Sequence, residues 1–165
     1  MTDLTTRYLG LDLRSPVVAS ASPLTGEPAT ARLVEDAGAA AIVLPSLFEE
    51  EILAEQFELD RALDQGTEQF AEALDYFPAV DPFLSAADRY ITSLERVKAR
   101  VGVPVIASLN ASTTGGWVDY ARRIEAAGAD ALELNLYHMT ADPSRTAAES
   151  DALDLALIAA VRATI

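Results

Sequence analysis

The sequence predicts an α/β fold in which parallel strands alternate with helices. Two segments, "ARLVEDAGAAAIVL" at 31–44 and "ARRIEAAGADALEL" at 121–134, match each other in register. Each has the end of an amphipathic helix, then a glycine, then a continuous apolar run. Apolar runs without alternation are typical of strands that are buried on both faces of a parallel sheet. Two further runs, at 16–22 and 103–109, have the same character.

The elements before the first repeat are a hairpin, a strand and a helix. The hairpin is predicted over 4–15, where residues 8–10 turn into a second short strand at 11–13. The first strand of the main sheet follows at 16–22. A helix is predicted over 27–37, because Pro28 suits the first turn of a helix. Gly38 can then take the left-handed conformation that ends helices, as Gly128 can in the second repeat.

An acidic insertion is predicted at about 47–82, after the second strand. Its first part is helical, and Glu49, Glu50 and Glu51 lie near the helix N-terminus, where the helix dipole favours negative charge. Helices over 83–101, 116–127 and about 149–164 complete the pattern, with strands at 103–109 and 131–136 between them. We therefore expect residues 1–165 to form a single domain with the order β-α-β-α-β-α-β-α.

Four βα units are half of a closed eight-stranded barrel. The sequence thus predicts an α/β fold that corresponds to the N-terminal half of a (β/α)8 TIM barrel, preceded by a short β-hairpin. Three arrangements are consistent with this pattern: part of a longer barrel, a half-barrel that forms a homodimer, or a smaller open sheet. We favour the first, because an unpaired apolar sheet edge promotes association.

Composition narrows the class of partner. A net charge of −14 argues against nucleic acid and against anionic membrane surfaces. No apolar run has the length of a membrane span, and no signal peptide is recognised. The absence of cysteine excludes disulfides and thiolate sites. We expect a cytoplasmic protein with a small-molecule substrate.

Candidate site residues lie where the predicted strands end, since βα folds bind ligands at the C-terminal ends of their strands. Small, hydroxyl and amide side chains predominate there, which fits a planar heterocycle better than it fits hydrolysis. The candidates are Ala19, Ser20, Ala21, Ser46, Ser108, Asn110 and Asn135.

Other chemical motifs are weak or absent. There is no glycine-rich dinucleotide fingerprint, no phosphate-binding loop and no cluster with metal-ligand spacing, so no metal is expected. The glycine pair at 113–117 is a weak candidate for an anion nest. A triad of Ser20, His138 and Asp142 lacks a nucleophile elbow. His138 is the only histidine, and we favour a loop residue without chemical role over a catalytic base.

Three stretches resemble the dihydroorotate dehydrogenase family, and most closely its branch of dihydroorotate dehydrogenase-like proteins. They are "LGLDLRSPVVASASPLTG", "EALDYFP" and "VIASLNASTTGGWVDYARRIEAAGADALELNLY". The resemblance runs from about residue 3 onward and covers the N-terminal half of such an enzyme. It implies an FMN-binding (β/α)8 barrel that oxidises dihydroorotate to orotate in pyrimidine biosynthesis.

The resemblance also implies roles for individual residues. Residues 19–21 would meet the flavin through backbone and hydroxyl groups, and Ser46 would lie beside the isoalloxazine edge. Ser108 would face the flavin. Asn135 would bridge the flavin and the substrate. From its position at the end of the third strand, Asn110 is a further candidate to contact the substrate.

Three positions depart from the family pattern. Pro45 occupies the place of a lysine, and the stretch at 72–78 lacks the family's asparagine-bearing motif. His138 lies at or near the position of the catalytic cysteine or serine, so it is the candidate base. These departures leave the substrate open. The alternative function is an inactive half-barrel that binds no flavin and acts by association. An aldolase or isomerase is disfavoured, because the single lysine, Lys98, falls in a predicted helix.

Overall fold

Four parallel strands form the main sheet, and a separate antiparallel hairpin precedes them. The computed structural model describes residues 2–67, 85–111, 114–136 and 143–165. The strands are β1 (Thr6–Tyr8), β2 (Leu11–Leu13), β3 (Val18–Ala19), β4 (Ala41–Phe48), β5 (Val105–Asn110) and β6 (Ala131–Leu134). The helices are α1 (Pro23–Gly26), α2 (Pro28–Asp36), α3 (Glu49–Thr67), α4 (Ala86–Lys98), α5 (Thr114–Ala126) and α6 (Ala147–Arg162).

The sheet has the order β3-β4-β5-β6, and every pair of neighbours is parallel. The predicted α/β fold and the hairpin of β1 with β2 are therefore confirmed. Strand β3 is shorter than the predicted 16–22. Strand β4 continues to Phe48, so the helical insertion begins at Glu49 rather than at 47. The rest of the insertion, at 68–84, lies outside the described residues.

The two repeated helix ends have the predicted geometry. Gly38 has φ of +112° and Gly128 has φ of +87°, and each glycine lies between a helix and the next strand. Side chains with a Cβ rarely adopt this conformation, so glycine allows the chain to reverse here. At the other end of a helix, Thr146 and Glu149 form the reciprocal hydrogen bonds of a capping box at the start of α6.

The helices pack against one face of the sheet and form the main core. Residues 42 and 44 of β4 and residues 105, 107 and 109 of β5 point to this face. They pack with Leu94 of α4, Trp117 and Ile124 of α5 and Val161 of α6, all of which are buried. Burying a large apolar side chain contributes about 1.5–3 kcal/mol relative to exposure. Within the described part of the chain, no helix is long and apolar enough to cross a membrane.

The opposite face of the sheet is covered by the hairpin near the beginnings of the strands. Leu13 of β2 packs there with Ala41, Val43 and Ile106. Ala131, the first residue of β6, is half-buried against the same cluster. Further along the strands, this face carries the polar side chains of the candidate site.

A β-bulge in β4 determines which side chains reach that polar region. Val43 pairs with Ile106, but the next pairs join Ser46 to Ser108, so β4 contains one residue more than β5 in this interval. Proline is tolerated at bulges because it has no N–H to donate to the ladder, and Pro45 lies here. The extra residue reverses the alternation of side chains. Leu44 and Leu47 both face the helices as a result, and Ser46 faces the opposite side with Ser108.

Candidate functional site

Three of the predicted residues converge at the C-terminal ends of neighbouring strands. Ser46 Oγ lies 2.8 Å from Ser108 Oγ, although the residues come from β4 and β5. Asn135, directly after β6, donates through Nδ2 to Ser46 Oγ at 3.1 Å and to Ser108 Oγ at 3.0 Å. Ser108 is fully buried, whereas Ser46 and Asn135 are half-buried. Each strand therefore places one neutral polar group at the same point of the sheet.

Glu133 completes this cluster, and it was missed in the sequence. Ser108 Oγ donates to Glu133 Oε1 at 2.8 Å, and Asn135 Nδ2 lies 3.4 Å from the same oxygen. Glu133 pairs with Ser108 across β5 and β6, and its side chain is exposed. The signal was present: a lone charged residue interrupts the apolar run of β6. We define the polar cluster as Ser46, Ser108, Glu133 and Asn135.

Tyr90 of α4 supports the polar cluster from the helix side of the sheet. Its hydroxyl donates to the Ser108 carbonyl oxygen at 3.2 Å and accepts from the Ser108 N–H at 2.9 Å. On β5, the carbonyl groups of Val105 and Leu109 accept hydrogen bonds from the β6 side, so alternation turns the main chain of Ser108 toward β4. Tyr90 therefore bonds the main chain of Ser108 directly beside the bulge of β4. Burial raises the pKa of Tyr90 to about 12.

A groove of about 510 Å³ adjoins the polar cluster on the hairpin side. Glu133 and Ser20 line it, together with Tyr8 of the hairpin and the apolar side chains of Val43 and Ile106. Such a mixture of apolar walls and a few polar groups is common in small-molecule sites.

The remaining strand-end candidates lie apart from the cluster. Ala19 packs toward the helix-side core, and Ala21 is exposed beyond the end of β3. Neither lines the groove. Asn110 is half-buried and falls on the same face of β5 as Ser108, two residues further along, where it pairs in register with Phe48. His138 and Asp142 lie outside the described residues, as does the stretch at 72–78.

The acidic side chain of Glu49 lies at the N-terminus of α5. Glu49, the first residue of α3, is only 5% exposed. Its carboxylate lies so close to Gly116 that a Cβ at that glycine would be 2.6 Å from Glu49 Cδ. Negative charge is favourable at a helix N-terminus. In the weak candidate for an anion nest, Gly116 thus has the Glu49 carboxylate as its neighbour.

The hydrogen bonds within the polar cluster determine which of its side chains donate and which accept. Ser108 Oγ donates to Glu133, so in the bond between the two serines Ser46 is the donor. Ser108 then accepts from both Ser46 and Asn135. A hydroxyl has one donor and two acceptor positions, so Ser108 is saturated. The groups that can still contact a ligand belong to Ser46, Asn135 and Glu133.

Comparison with protein-family models gives no match, and comparison with curated protein sequences gives none either.

Proposed function

We propose that the chain forms part of an FMN-dependent oxidoreductase of the dihydroorotate dehydrogenase type. The observation that supports this most strongly is the convergence of Ser46, Ser108 and Asn135. The resemblance in sequence assigns these three residues to the flavin, and the fold brings their side chains within hydrogen-bond distance of one another.

The arrangement of the sheet is compatible with part of a (β/α)8 barrel. Its strands are adjacent in the order in which they occur in the chain, as barrel strands are. Helices α2, α4, α5 and α6 pack on one face, and the hairpin covers the beginnings of the strands on the other. In this proposal the face with the hairpin is the interior of the barrel, and the polar cluster lies at its catalytic end.

The polar cluster fits the edge of an isoalloxazine ring, because the N–H group of that edge would meet the free acceptor positions of Ser46 and Asn135. Ser46 and Asn135 would hold that edge, and Ser20 would approach it from the end of β3. A bound FMN would supply the hydride acceptor. The chain's own residues would orient the ring, because the buried Ser108 fixes the positions of Ser46 and Asn135.

Substrate binding and proton transfer are assigned by position along the strands. Asn110 lies on the same sheet face as Ser108, so it is the candidate to contact the substrate together with Asn135. His138 follows Asn135 by three residues and is the candidate proton acceptor. The substrate would be dihydroorotate or another small ring with an oxidisable CH–CH bond. A cytoplasmic location accords with the absence of cysteine.

The visible spectrum of the purified full chain, before and after addition of FMN, tests the cofactor. We expect bound flavin with shifted absorption bands. Failure to bind FMN at millimolar concentration would overturn the proposal. With flavin bound, anaerobic addition of dihydroorotate tests the substrate. If dihydroorotate bleaches the flavin absorption and His138→Asn abolishes this bleaching, both the substrate and the role of His138 as the base are supported. Binding without bleaching would contradict dihydroorotate as the substrate.

The alternative function, an association module without flavin, is favoured by one surface. Helix α6 carries the large apolar side chains of Leu155 and Ile158, which are 66% and 41% exposed. Contiguous exposed apolar patches are typical of surfaces that meet another protein, and these two side chains are neighbours on the helix surface. Analytical ultracentrifugation of the flavin-free chain separates the two functions. A tight dimer with no affinity for FMN would support the alternative, and a flavin-binding monomer would contradict it.

A further inference from the structure

We propose that Glu133 is a ligand-binding residue and that the polar cluster selects groups rich in N–H donors over anions. The ligand class is a planar group with two or more N–H groups on one edge, such as an amidinium or a primary amide. The inference goes beyond the proposed function, since it concerns the hydrogen-bonding direction of the cluster in the flavin-free chain.

The donors of the polar cluster are used within the cluster. Ser46 donates to Ser108, and Ser108 donates to Glu133. The amide atom of Asn135 that lies 3.4 Å from Glu133 Oε1 must be the nitrogen, because an ionised carboxylate only accepts. The two N–H bonds of that nitrogen are directed at the serine hydroxyls and at Glu133. No hydroxyl or amide hydrogen of the cluster remains for a ligand.

Acceptor positions remain on the same three side chains. Within the described ranges, no hydrogen bond engages Glu133 Oε2 or Asn135 Oδ1. Ser46 Oγ keeps one of its two lone pairs after accepting from Asn135. A ligand at this point therefore meets only acceptors, and one of them is the carboxylate of Glu133. N–H groups are attracted by such a surface, and carboxylate or phosphate groups are repelled by it.

The charge of Glu133 is not neutralised by a basic side chain in the described part of the chain. The ion pairs between described residues lie elsewhere. Arg7 lines the same groove, but its guanidinium faces Asp12, with Nε 3.8 Å from Oδ1. Glu133 nevertheless lies in the middle of a strand on the sheet's polar face, where its position is fixed by Ser108. A carboxylate held in this way is available to a cationic or N–H-bearing group.

A matched set of planar probes tests the inference. Benzamidine, benzamide and benzoate have nearly the same shape, but they present four N–H groups, two N–H groups and none on the polar edge. Binding to the flavin-free full chain is followed by NMR, through shifts of the Asn135 side-chain amide. We expect affinity to fall in the order benzamidine, benzamide, benzoate.

Two variants distinguish Glu133 from the general acidity of the chain. Glu133→Gln keeps an oxygen for Ser108 but removes the charge, and it should weaken benzamidine binding by at least about tenfold. Glu125→Gln makes the same charge change on the exposed face of α5 and should leave binding unchanged. Thermal melting checks that both variants are folded.

The inference is overturned if benzoate binds as tightly as benzamidine, or if the two variants weaken benzamidine equally. It is also overturned if no probe shifts the Asn135 amide at concentrations near its solubility. None of these results depends on FMN. If FMN does not bind but the three probes bind in the expected order, only the proposed cofactor is contradicted.

Discussion

Replacing Tyr90 by phenylalanine removes one oxygen atom and keeps the ring in the core. The hydroxyl makes two hydrogen bonds to the main chain of Ser108, at 3.2 Å and 2.9 Å. Ser108 is fully buried. The substitution therefore removes one hydrogen bond from a buried N–H and one from a buried C=O beside the bulge of β4.

The expected loss of stability follows from these two groups. An orphaned buried polar group costs about 1–3 kcal/mol. Phenylalanine gains back some stability, because its ring has no hydroxyl to desolvate. We expect Tyr90→Phe to lower the free energy of unfolding by about 2–4 kcal/mol. For a chain of this size, each kcal/mol lowers Tm by roughly 2–4 °C.

Urea denaturation followed by circular dichroism measures the change, with Tyr120→Phe as the control. Tyr120 is half-buried, and in the described residues its hydroxyl makes no hydrogen bond. Its substitution should change the unfolding free energy by less than about 0.5 kcal/mol. If Tyr90→Phe costs no more than Tyr120→Phe, then the two bonds from Tyr90 to the main chain of Ser108 do not stabilise the sheet beside the bulge, and the role assigned to Tyr90 is wrong.

Two further predictions concern the titration of Tyr90 and the contact between Gly116 and Glu49. The pKa of Tyr90 is raised by burial from 10.0 to about 12, so the folded state favours the neutral phenol. The stability that this contributes should be complete below pH 10 and should fall by about 2–3 kcal/mol as the pH rises to 12. Urea denaturation across this pH range should show a smaller loss of unfolding free energy in Tyr90→Phe than in the unaltered chain. An equal loss in both would contradict the raised pKa of Tyr90. Gly116→Ala should destabilise the chain by about 1–3 kcal/mol, because the new methyl group overlaps the buried Glu49 carboxylate. Gly115→Ala, where a Cβ meets nothing within 4 Å, should instead stabilise it by up to about 1 kcal/mol, and a stabilising Gly116→Ala would refute the contact.

Hydrophobic pattern and helix ends were sufficient to predict the elements of the fold. The apolar runs of β4 and β5 are buried as expected, because both of their faces are covered near the strand centres. Gly38 and Gly128 have positive φ because the turn between helix and strand requires it. The short length of β3 was not predictable from its apolar residues, since strand length depends on pairing with β4.

The convergence of Ser46, Ser108 and Asn135 was predicted only in part. Their positions at strand ends follow from the sequence, but the orientation of Ser46 depends on the bulge. Pro45 was the only local sign of that irregularity. Glu133 was missed because β6 was interpreted as a strand buried on both faces, whereas its polar face is open to the groove.

Tyr90 illustrates a role that a sequence pattern does not show. It belongs to the apolar stripe of the predicted helix at 83–101, and in the structure its ring packs against the core as expected. Its hydroxyl acquires a function because the fold brings it to the main chain of Ser108 beside the bulge. The spacing of apolar residues along a helix cannot predict a contact of this kind, because it depends on how distant strands pair.

The affinity of the full chain for FMN in two asparagine variants tests the central claim most directly. Asn135 donates to both serines of the polar cluster, whereas Asn110 lies further along β5 and is assigned to the substrate. Titration of flavin fluorescence should show that Asn135→Ala weakens FMN binding by about tenfold, the equivalent of roughly 1.4 kcal/mol for a lost hydrogen-bonding group. Asn110→Ala should bind FMN as the unaltered chain does. Equal affinities in the two variants would contradict a flavin site at the polar cluster.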